Sequence, residues 1–470
     1  MLRALIKKEI RDLTGSTKFV YTFAVTALLI VFAFYSGAVS YKQDVERWDA
    51  ARAENLRRLD GVTDWLRVED NRLFLPPQPL ASLVNGISND IGRTTTVAPR
   101  GEVSAEDSRY NEEPVFAVFR FLDLGFIFQV VLSLFAILLG YDAISGEKER
   151  GTLRLCMANA ISRPTFLLGK FIGSYLSLAV SLLIPMLLGC LMLPLLGVHL
   201  SNDEWLRLAV IIISGMLFFG AFLSLSLLVS TSTRSTANSF LLLLVLWVGG
   251  VLILPQVSVL LAGRAVDVPT VDRVGYRKAA YASELWKEFR DGMGSFTAPN
   301  TTDPEEMLAA FNGFIDSLTS IRDEKMNEFR SRVNEERNNR VEERASVAFG
   351  LARVSPSVAL SLATAEMAGT SPALKSRYYD QAMEYQQVLG DFLFEKTGIK
   401  VGGRMIIMKV EEGGEEPQPI DAAELPVFSF RRPPFNSSLI SALPDLGLLA
   451  FFNLAFFAGA MVAFNRYDVR

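Results

Sequence analysis

Six long stretches of this sequence contain no Asp, Glu, Lys or Arg. They lie between Lys18 and Lys42, Asp123 and Asp142, Lys170 and Asp203, Arg207 and Arg234, Arg234 and Arg264, and Asp445 and Arg466. An α-helix needs about 20 mainly apolar residues to cross the hydrocarbon core of a bilayer, and core helices of soluble proteins rarely remain uncharged for so long. The sequence therefore predicts six membrane-spanning helices, at residues 17–40, 120–141, 164–196, 205–231, 236–261 and 443–465.

The overall composition excludes several classes of protein. Hydrophobic residues make up 50% of the 470 residues, charged residues make up 21%, and the net charge is −4. This small, mixed charge argues against a nucleic-acid partner, which would need a broad basic face. With two cysteines and one histidine, His199, neither a disulfide framework nor a Cys/His metal site is expected. Gly169-Lys170 is followed by Phe171, where a phosphate-binding Walker A loop requires Ser or Thr.

Both chain ends are predicted to lie in the cytoplasm, because Lys and Arg concentrate in the short segments on one side of the spans. Four of them precede the first span and a fifth, Lys18, lies at its start; four lie in the loop at 142–163, and two lie in the tail at 466–470. The short loop at 197–204, on the opposite side, has none.

Two long hydrophilic insertions, 41–119 and 262–442, are then predicted to lie outside. The first begins as a charged helix and becomes irregular around its prolines at 76, 77 and 79. The second predicts long helices at 271–296, 304–351 and 357–389, followed by a strand in RMIIMKVEEGGEEP and a returning strand in LPVFSF. The expected fold class is an all-α membrane protein with six transmembrane helices, both ends inside, and two mainly helical extracytoplasmic insertions, the second with a small β element.

The N-terminal segment, 1–16, is predicted to be an amphipathic helix. Its apolar residues recur at helical spacing, with basic and acidic residues on the other face. They are Leu2, Leu5, Ile6, Ile10 and Leu13. Such a helix is expected to lie on the cytoplasmic leaflet in contact with membrane lipid. A plain basic lead-in would explain the charges equally well, although it would not explain the apolar stripe.

The loop at 142–163 contains a second candidate functional segment. It combines the charged cluster 147–150 with Gly151, Thr152 and a short amphipathic continuation at 153–157. A segment of this kind can insert into a groove of a cytoplasmic partner, with the charges setting the register and the leucines providing apolar burial. A solvated loop without a partner is the alternative that the spacing alone leaves open.

The same loop carries a resemblance to a known family. The run DAISGEKERGTLRL, together with SRPTFLLGK after it, resembles the signature of ABC-2-type permeases, which are membrane subunits of ABC transporters whose ATPase is a separate polypeptide. LFLPPQPLASLVNGIS in the first insertion and ARVSPSVALSLATAEMAGTS in the second are similar to a subset with two enlarged outer domains. Many relatives lack these insertions, so the resemblance leaves the substrate open.

The resemblance implies that the loop carries a coupling helix that docks on the cytoplasmic ATPase. The residues it implicates are Glu147, Lys148, Glu149, Arg150, Gly151 and Thr152. It also implies a second permease subunit, identical or different, and a multi-pass location in a bacterial inner (plasma) membrane. ATP and Mg²⁺ would be bound by the partner ATPase, with no cofactor in this chain.

The leading hypothesis is therefore a non-catalytic permease subunit that couples ATP hydrolysis to export of a substrate, or to movement of its outer domains. No charged residue lies at midspan, since Asp123 and Asp445 lie at outer span ends. A lipidic or amphipathic substrate therefore fits better than an ion. Gln129, Asn238 and Asn453 predict hydrogen bonds between helices.

Two other function classes were weighed against the permease. The first is an ATP-driven mechanical or signalling complex that acts on an extracytoplasmic accessory protein without moving a solute, and the size of both insertions motivates it. The second is a membrane-embedded enzyme. The sequence disfavours the enzyme, because it shows no metal-ligand cluster and has a single histidine.

Overall fold

Helices account for most of the structure, which is a computed structural model. It describes residues 2–65, 68, 71–86, 91, 93–98, 103–106, 123–158, 161–300, 303–397 and 419–467. The first helices in chain order are α1 (Leu2–Thr14), α2 (Thr17–Arg57), α3 (Leu124–Phe126), α4 (Ser133–Gly140), α5 (Ser145–Glu149), α6 (Thr152–Ala158), α7 (Arg163–Leu195) and α8 (Asn202–Ser232). They are followed by α9 (Thr236–Trp247), α10 (Leu254–Ala265), α11 (Val271–Met293), α12 (Pro304–Ala352), α13 (Pro356–Ala368), α14 (Ala373–Thr397) and α15 (Phe435–Arg466).

Six helices among the described residues are long and apolar enough to cross a membrane. In chain order, these spans are Thr17–Arg57, Leu124–Glu149, Arg163–Leu195, Asn202–Ser232, Thr236–Ala265 and Phe435–Arg466. The second and fifth spans each contain a π-helical segment, at Ile127–Leu132 and Val248–Ile253. The predicted all-α class with six transmembrane helices is confirmed.

Serine caps fix where several spans begin. Ser201 and Glu204 form a reciprocal capping box at the start of α8: the Glu204 N–H donates to Ser201 Oγ (3.3 Å), and the Ser201 N–H donates to Glu204 Oε2 (2.8 Å). Ser16, Ser162 and Ser235 accept backbone hydrogen bonds at the starts of α2, α7 and α9. Caps of this kind stabilise a helix by about 1 kcal/mol each, so the short turns between spans are defined by the local sequence.

The spans share one apolar core, to which polar side chains add bonds between helices. Phe128, Phe218 and Leu449 are fully buried in it. Asn453 on α15 donates through Nδ2 to the Leu217 carbonyl on α8 (2.8 Å), and Gln129 in the second span donates to Ser361 on α13. Gln129 and Asn453 therefore make the interhelical bonds that the sequence predicted for them.

The first insertion contains a small antiparallel sheet that the sequence did not predict. Its strands are β1 (Asn71–Phe74), β2 (Thr94–Val97) and β3 (Ser104–Glu106), in the order β1-β2-β3. In the register, Asn71 faces Val97 and Thr94 faces Glu106. Each strand has only three or four residues, so the alternating pattern is too short to distinguish a strand from an irregular segment.

The two insertions fold together into one outer body. Leu73 and Val97 of the first insertion share a buried cluster with Tyr385, Leu389 and Leu393 of α14. The sequence treated 41–119 and 262–442 as two domains. The shared cluster shows that the parts described here have a common core.

A long helical hairpin and a short buried helix make up the first part of the second insertion. The hairpin pairs α11 with α12 in antiparallel fashion, and the rings of Tyr281 and Phe329 stack 4.0 Å apart between them. After α12 the chain turns into α13, which the sequence had placed outside with the rest of 262–442. Instead, Leu360 and Met367 of α13 are buried in the same core as the spans, so the insertion re-enters the helical core at this point.

The predicted β element near the end of the second insertion is only partly within the described residues. Its first strand, at 404–417, lies outside them. The returning strand predicted at 425–430 is wrong, since that segment has no strand structure. Phe428 and Phe430 instead pack edge-on against the Tyr378 ring of α14, with centroids 6.0 and 6.2 Å away.

Candidate functional site

The six predicted docking residues, 147–152, form a tight turn where the second span ends. α5 ends at Glu149, and α6 begins at Thr152. Gly151 between them has φ +73°, a conformation that side chains other than glycine disfavour. The Thr152 hydroxyl donates to the Glu147 carbonyl (3.3 Å) and closes the turn. The predicted coupling segment is therefore two short helices at a fixed angle rather than one.

Two charged residues of this turn are directed toward other spans of the same chain. Lys148 donates to the carbonyls of Thr231 and Thr233 (2.9 Å to Thr233), at the end of α8. Glu149 accepts from the Thr236 hydroxyl (2.8 Å), at the start of α9. These side chains hold the inner ends of three spans together, so their first role is within this chain.

A buried ion triad links the turn to two further helices. Lys170 on α7 lies 2.9 Å from Glu9 of α1 and 2.8 Å from Glu147 of α5, measured from Nζ to the carboxylate oxygens. The exposed fractions of the three side chains are 13%, 8% and 9%. Low exposure makes each charge dependent on its partners, because water cannot replace them. The triad therefore connects the turn to both α1 and α7.

α1 lies closely against α7. A Cβ placed on Gly169 or Gly173 would come within 2.9 Å of Leu5 Cβ or 2.6 Å of Glu9 Cβ, so the two glycines permit the approach. The residues of the predicted apolar stripe differ in burial. Leu2 is exposed, and the other four are half-buried: Leu5, Ile6, Ile10 and Leu13. The stripe therefore serves helix packing as well as the lipid contact that the sequence predicts.

Other contacts complete a connected inner face, defined by the ends of the six spans at this side together with α1, α5 and α6. Lys18 at the start of α2 donates to Asp142 (3.1 Å). Arg163 at the start of α7 donates to the carbonyls of Phe464 (3.0 Å) and Asn465 (2.6 Å), at the end of α15. Both chain ends therefore lie on the same side of the helical core.

The outward surface of the turn includes predicted docking residues and continues beyond the predicted 147–152 into α6. Arg150 and Thr152 are exposed, as are Arg154 and Leu155 on α6. Leu155 is 70% exposed, whereas Leu153 is 2% exposed and belongs to the core beneath. Sequence reasoning treated both leucines as one amphipathic stretch. The signal that separates them, their spacing of two residues on a helix, was available in the sequence.

The site has the features of a mechanical junction. Within the part of the chain that the structure describes, no three His, Cys, Asp or Glu residues come together as a metal site requires. What the geometry provides is a rigid turn with an exposed apolar residue on one side and a buried triad of charges on the other.

The chain is similar to known membrane transport proteins. A family profile described as ABC-2 family transporter protein matches residues 3–326. A protein of Stutzerimonas stutzeri named "Probable ABC transporter permease protein NosY" is 36% identical over 119 residues, which cover 25% of this chain and 43% of that protein. The protein of the same name from Pseudomonas aeruginosa is 50% identical over 54 residues, covering 12% of this chain and 20% of that protein. The matched segments thus span less than half of each of these relatives.

Proposed function

The chain belongs to the ABC-2 family of transporter proteins, and we propose that it is the membrane permease subunit of an ABC transporter whose ATPase is a separate cytoplasmic protein. In this proposal the inner face receives force from the ATPase, and the spans transmit it to the outer body. The exported substrate is lipidic or amphipathic. A second permease subunit, identical or different, completes the membrane part in a bacterial inner membrane.

The observation that carries the proposal is that one side of the turn is exposed and apolar while the other side is buried and bonded to the helical core. An apolar side chain that is mostly exposed on a cytoplasmic surface is a natural anchor for a groove in a partner, and Leu155 is such a residue. Directly beneath it, the buried Leu153 and the triad through Glu147 and Lys170 connect the turn to the helical core. The proposed docking surface consists of Arg150, Thr152, Arg154 and Leu155.

A docking test should therefore mutate a residue of this surface rather than the charged residues of the turn. Glu147, Lys148 and Glu149 contact their own chain, so replacing them would disturb the turn before it disturbed any docking. Leu155→Ser is a better probe, because it removes apolar contact area from an exposed side chain. Leu56→Ser is the matched control, since Leu56 is an exposed leucine at the far end of α2.

The experiment is co-purification of the co-expressed ATPase subunit on the affinity-tagged chain. Burying a leucine in a partner contributes about 1.5–3 kcal/mol, which corresponds to roughly ten-fold to a hundred-fold in affinity. We expect Leu155→Ser to weaken retention of the ATPase by that factor and Leu56→Ser to leave it unchanged. Equal retention by both variants would show that the docking surface is assigned wrongly.

A second candidate function is an ATP-driven mechanical complex that acts on an extracytoplasmic protein without moving a solute. The observation that favours it is the single outer body, which is joined to the spans through Arg207. This residue on α8 donates to the Ser438 hydroxyl of α15 (3.1 Å) and to the Pro433 carbonyl (2.7 Å). Reconstituted vesicles distinguish the two functions, since only the transporter moves an added amphipathic substrate across the bilayer when ATP is hydrolysed.

A further inference from the structure

The deepest point of the second insertion is the turn between α12 and α13. Ser355, in this turn, donates through Oγ to the Gly250 carbonyl (2.6 Å). Gly250 lies in the π-helical segment of the fifth span, fifteen residues before the span ends at Ala265. At a rise of 1.5 Å per residue, the turn lies about 22 Å below that outer end. α13 then returns outward, and Arg207 contacts the Met367 carbonyl near its end.

An ion pair lies next to this turn. The guanidinium of Arg353 binds the carboxylate of Asp445 on α15 in a two-pronged manner, with Nε–Oδ1 2.6 Å and Nη2–Oδ2 3.0 Å. Asp445 is ten residues into α15. The sequence had placed it at the outer end of the span, near water. The structure instead places it in the helical core, paired with a residue from the second insertion.

The two partners differ sharply in exposure. The Asp445 side chain is 4% exposed, whereas that of Arg353 is 43% exposed. The Nε and Nη2 atoms of the guanidinium face the carboxylate, so its other edge, which includes Nη1, is the edge that can face water or a ligand. A charged side chain is costly to place against hydrocarbon and is normally directed toward water or a polar partner. The exposed edge of Arg353 therefore requires a polar environment.

The surface around this arginine is apolar. Val354, the next residue in the chain, is 69% exposed. Gly249 and Gly250, in the segment that Ser355 contacts, have open space where a side chain would extend. A cation that can bind an anion through two N–H groups and adjoins an exposed apolar side chain is complementary to a molecule with an anionic head and an apolar tail.

We propose that Arg353 lines a water-accessible cleft that opens to the outer side, and that its exposed edge binds the anionic head group of an amphipathic molecule whose tail lies on Val354. The cleft and the binding site stand on the geometry alone. Only the further step, that this molecule is the exported substrate, rests on the proposed function. Asp445 orients the guanidinium from behind.

The cleft is tested by the reactivity of single cysteines. Cys156 and Cys190 are the only cysteines in the chain, so replacing both gives a background without thiols. Val354→Cys is then compared with Leu454→Cys, which lies on the exposed apolar face of α15. Leu56→Cys, at the outer end of α2 and beyond the span predicted at 17–40, normalises for reagent concentration at the surface. The protein is reconstituted in phosphatidylcholine vesicles and treated with a charged, membrane-impermeant methanethiosulfonate.

We expect Val354→Cys to react at least ten-fold faster than Leu454→Cys. If the two react equally slowly, Val354 faces lipid or a second copy of the chain, and the cleft does not exist. The thiol reaction requires no transport. The cleft can therefore be confirmed when the proposed permease function is wrong, and it can be refuted when that function is right.

The ligand is tested by protection of the Val354→Cys thiol. Dodecyl phosphate is the anionic amphipathic probe, inorganic phosphate is the head group alone, and dodecyl maltoside is a neutral amphipath. We expect dodecyl phosphate to slow the reaction at least five-fold and the other two to leave it unchanged. Protection by inorganic phosphate would indicate a site for free anions, and protection by dodecyl maltoside would indicate a merely apolar surface. Either result would overturn the proposal.

The role of the charge is tested in the double variant Arg353→Gln/Asp445→Asn. It removes both charges together, because Arg353→Gln alone would leave a buried carboxylate without its partner. In this background the Val354→Cys thiol should react at the same rate as without the two substitutions, as expected if the turn keeps its fold, and protection by dodecyl phosphate should be lost. Protection that persists in the double variant would mean that Arg353 does not bind the head group.

Discussion

Replacing Lys170 with Met provides the most direct test of the inner-face junction. The substitution removes the only cation of the triad and leaves the carboxylates of Glu9 and Glu147, each less than a tenth exposed, without a counterion. Breaking a buried ion pair by removing one partner costs about 3–5 kcal/mol. Because two carboxylates lose their partner at once, we expect the upper end of that range, about 5 kcal/mol.

Thermal unfolding of the purified protein, followed by tryptophan fluorescence at a fixed scan rate, measures this cost. Unfolding midpoints of large proteins fall by roughly 1–2 °C per kcal/mol when the size dependence of smaller domains is extrapolated. Lys170→Met should therefore lower the midpoint by roughly 5–10 °C. A fixed scan rate is necessary because the midpoint is a kinetic quantity when unfolding is irreversible.

The matched control removes all three charges. In Lys170→Met/Glu9→Met/Glu147→Met no buried charge is left without a partner, and replacement of a buried ion triad by apolar residues of similar volume is often close to neutral in stability. The unfolding midpoint of this variant should return most of the way to the wild-type value. The reasoning would be refuted if Lys170→Met unfolded within about 1 °C of the wild type, or if the triple variant were as unstable as the single one.

Two further predictions concern the outer body. Tyr385 is buried, donates to the Pro426 carbonyl (2.8 Å) and accepts from Asn71 (2.7 Å), so Tyr385→Phe should destabilise the outer body by about 2 kcal/mol. Faster hydrogen exchange in α14 measures this, with no change expected for the exposed Tyr276→Phe. Burial, with a smaller contribution from Arg337, lowers the pKa of Lys375 to about 8 from an ordinary 10.5. The unfolded chain therefore holds this proton more tightly, and stability should rise between pH 8 and 10.5. Lys375→Met should abolish that rise and stabilise the outer body at pH 7 by up to about 3 kcal/mol, measured by urea-dependent proteolysis at both pH values.

Much of the fold could be predicted because its physical causes are local. The span at 205–231 was expected from the absence of charge, and the structure has Asn202–Ser232, beginning at a capping box formed by two neighbouring residues. The helices at 271–296 and 304–351 were expected from their composition, and they occur as α11 and α12 with boundaries that differ by at most three residues. The docking segment was expected from a motif, and the turn at Gly151 lies within it.

The parts that could not be predicted depend on residues far apart in the sequence. The strands of the small sheet are stabilised from outside, for example by Tyr378, whose hydroxyl donates to the Leu73 carbonyl (3.0 Å). The direction of the Glu147 side chain is set by Lys170 on the following span, and the residues around Glu147 in the sequence do not record that pairing.

Charge-free length by itself determined that this chain has six spans, because an uncharged helix of that length is stable only when hydrocarbon or protein surrounds it. The tertiary structure alone decided the position of α13. The sequence placed its thirteen residues outside, as part of a helix predicted at 357–389 in the hydrophilic insertion 262–442. Contacts with α8, α15 and the fifth span bury them instead, and with them Arg353 reaches Asp445. No local pattern records that pairing, since its free energy arises only when both helices are in place.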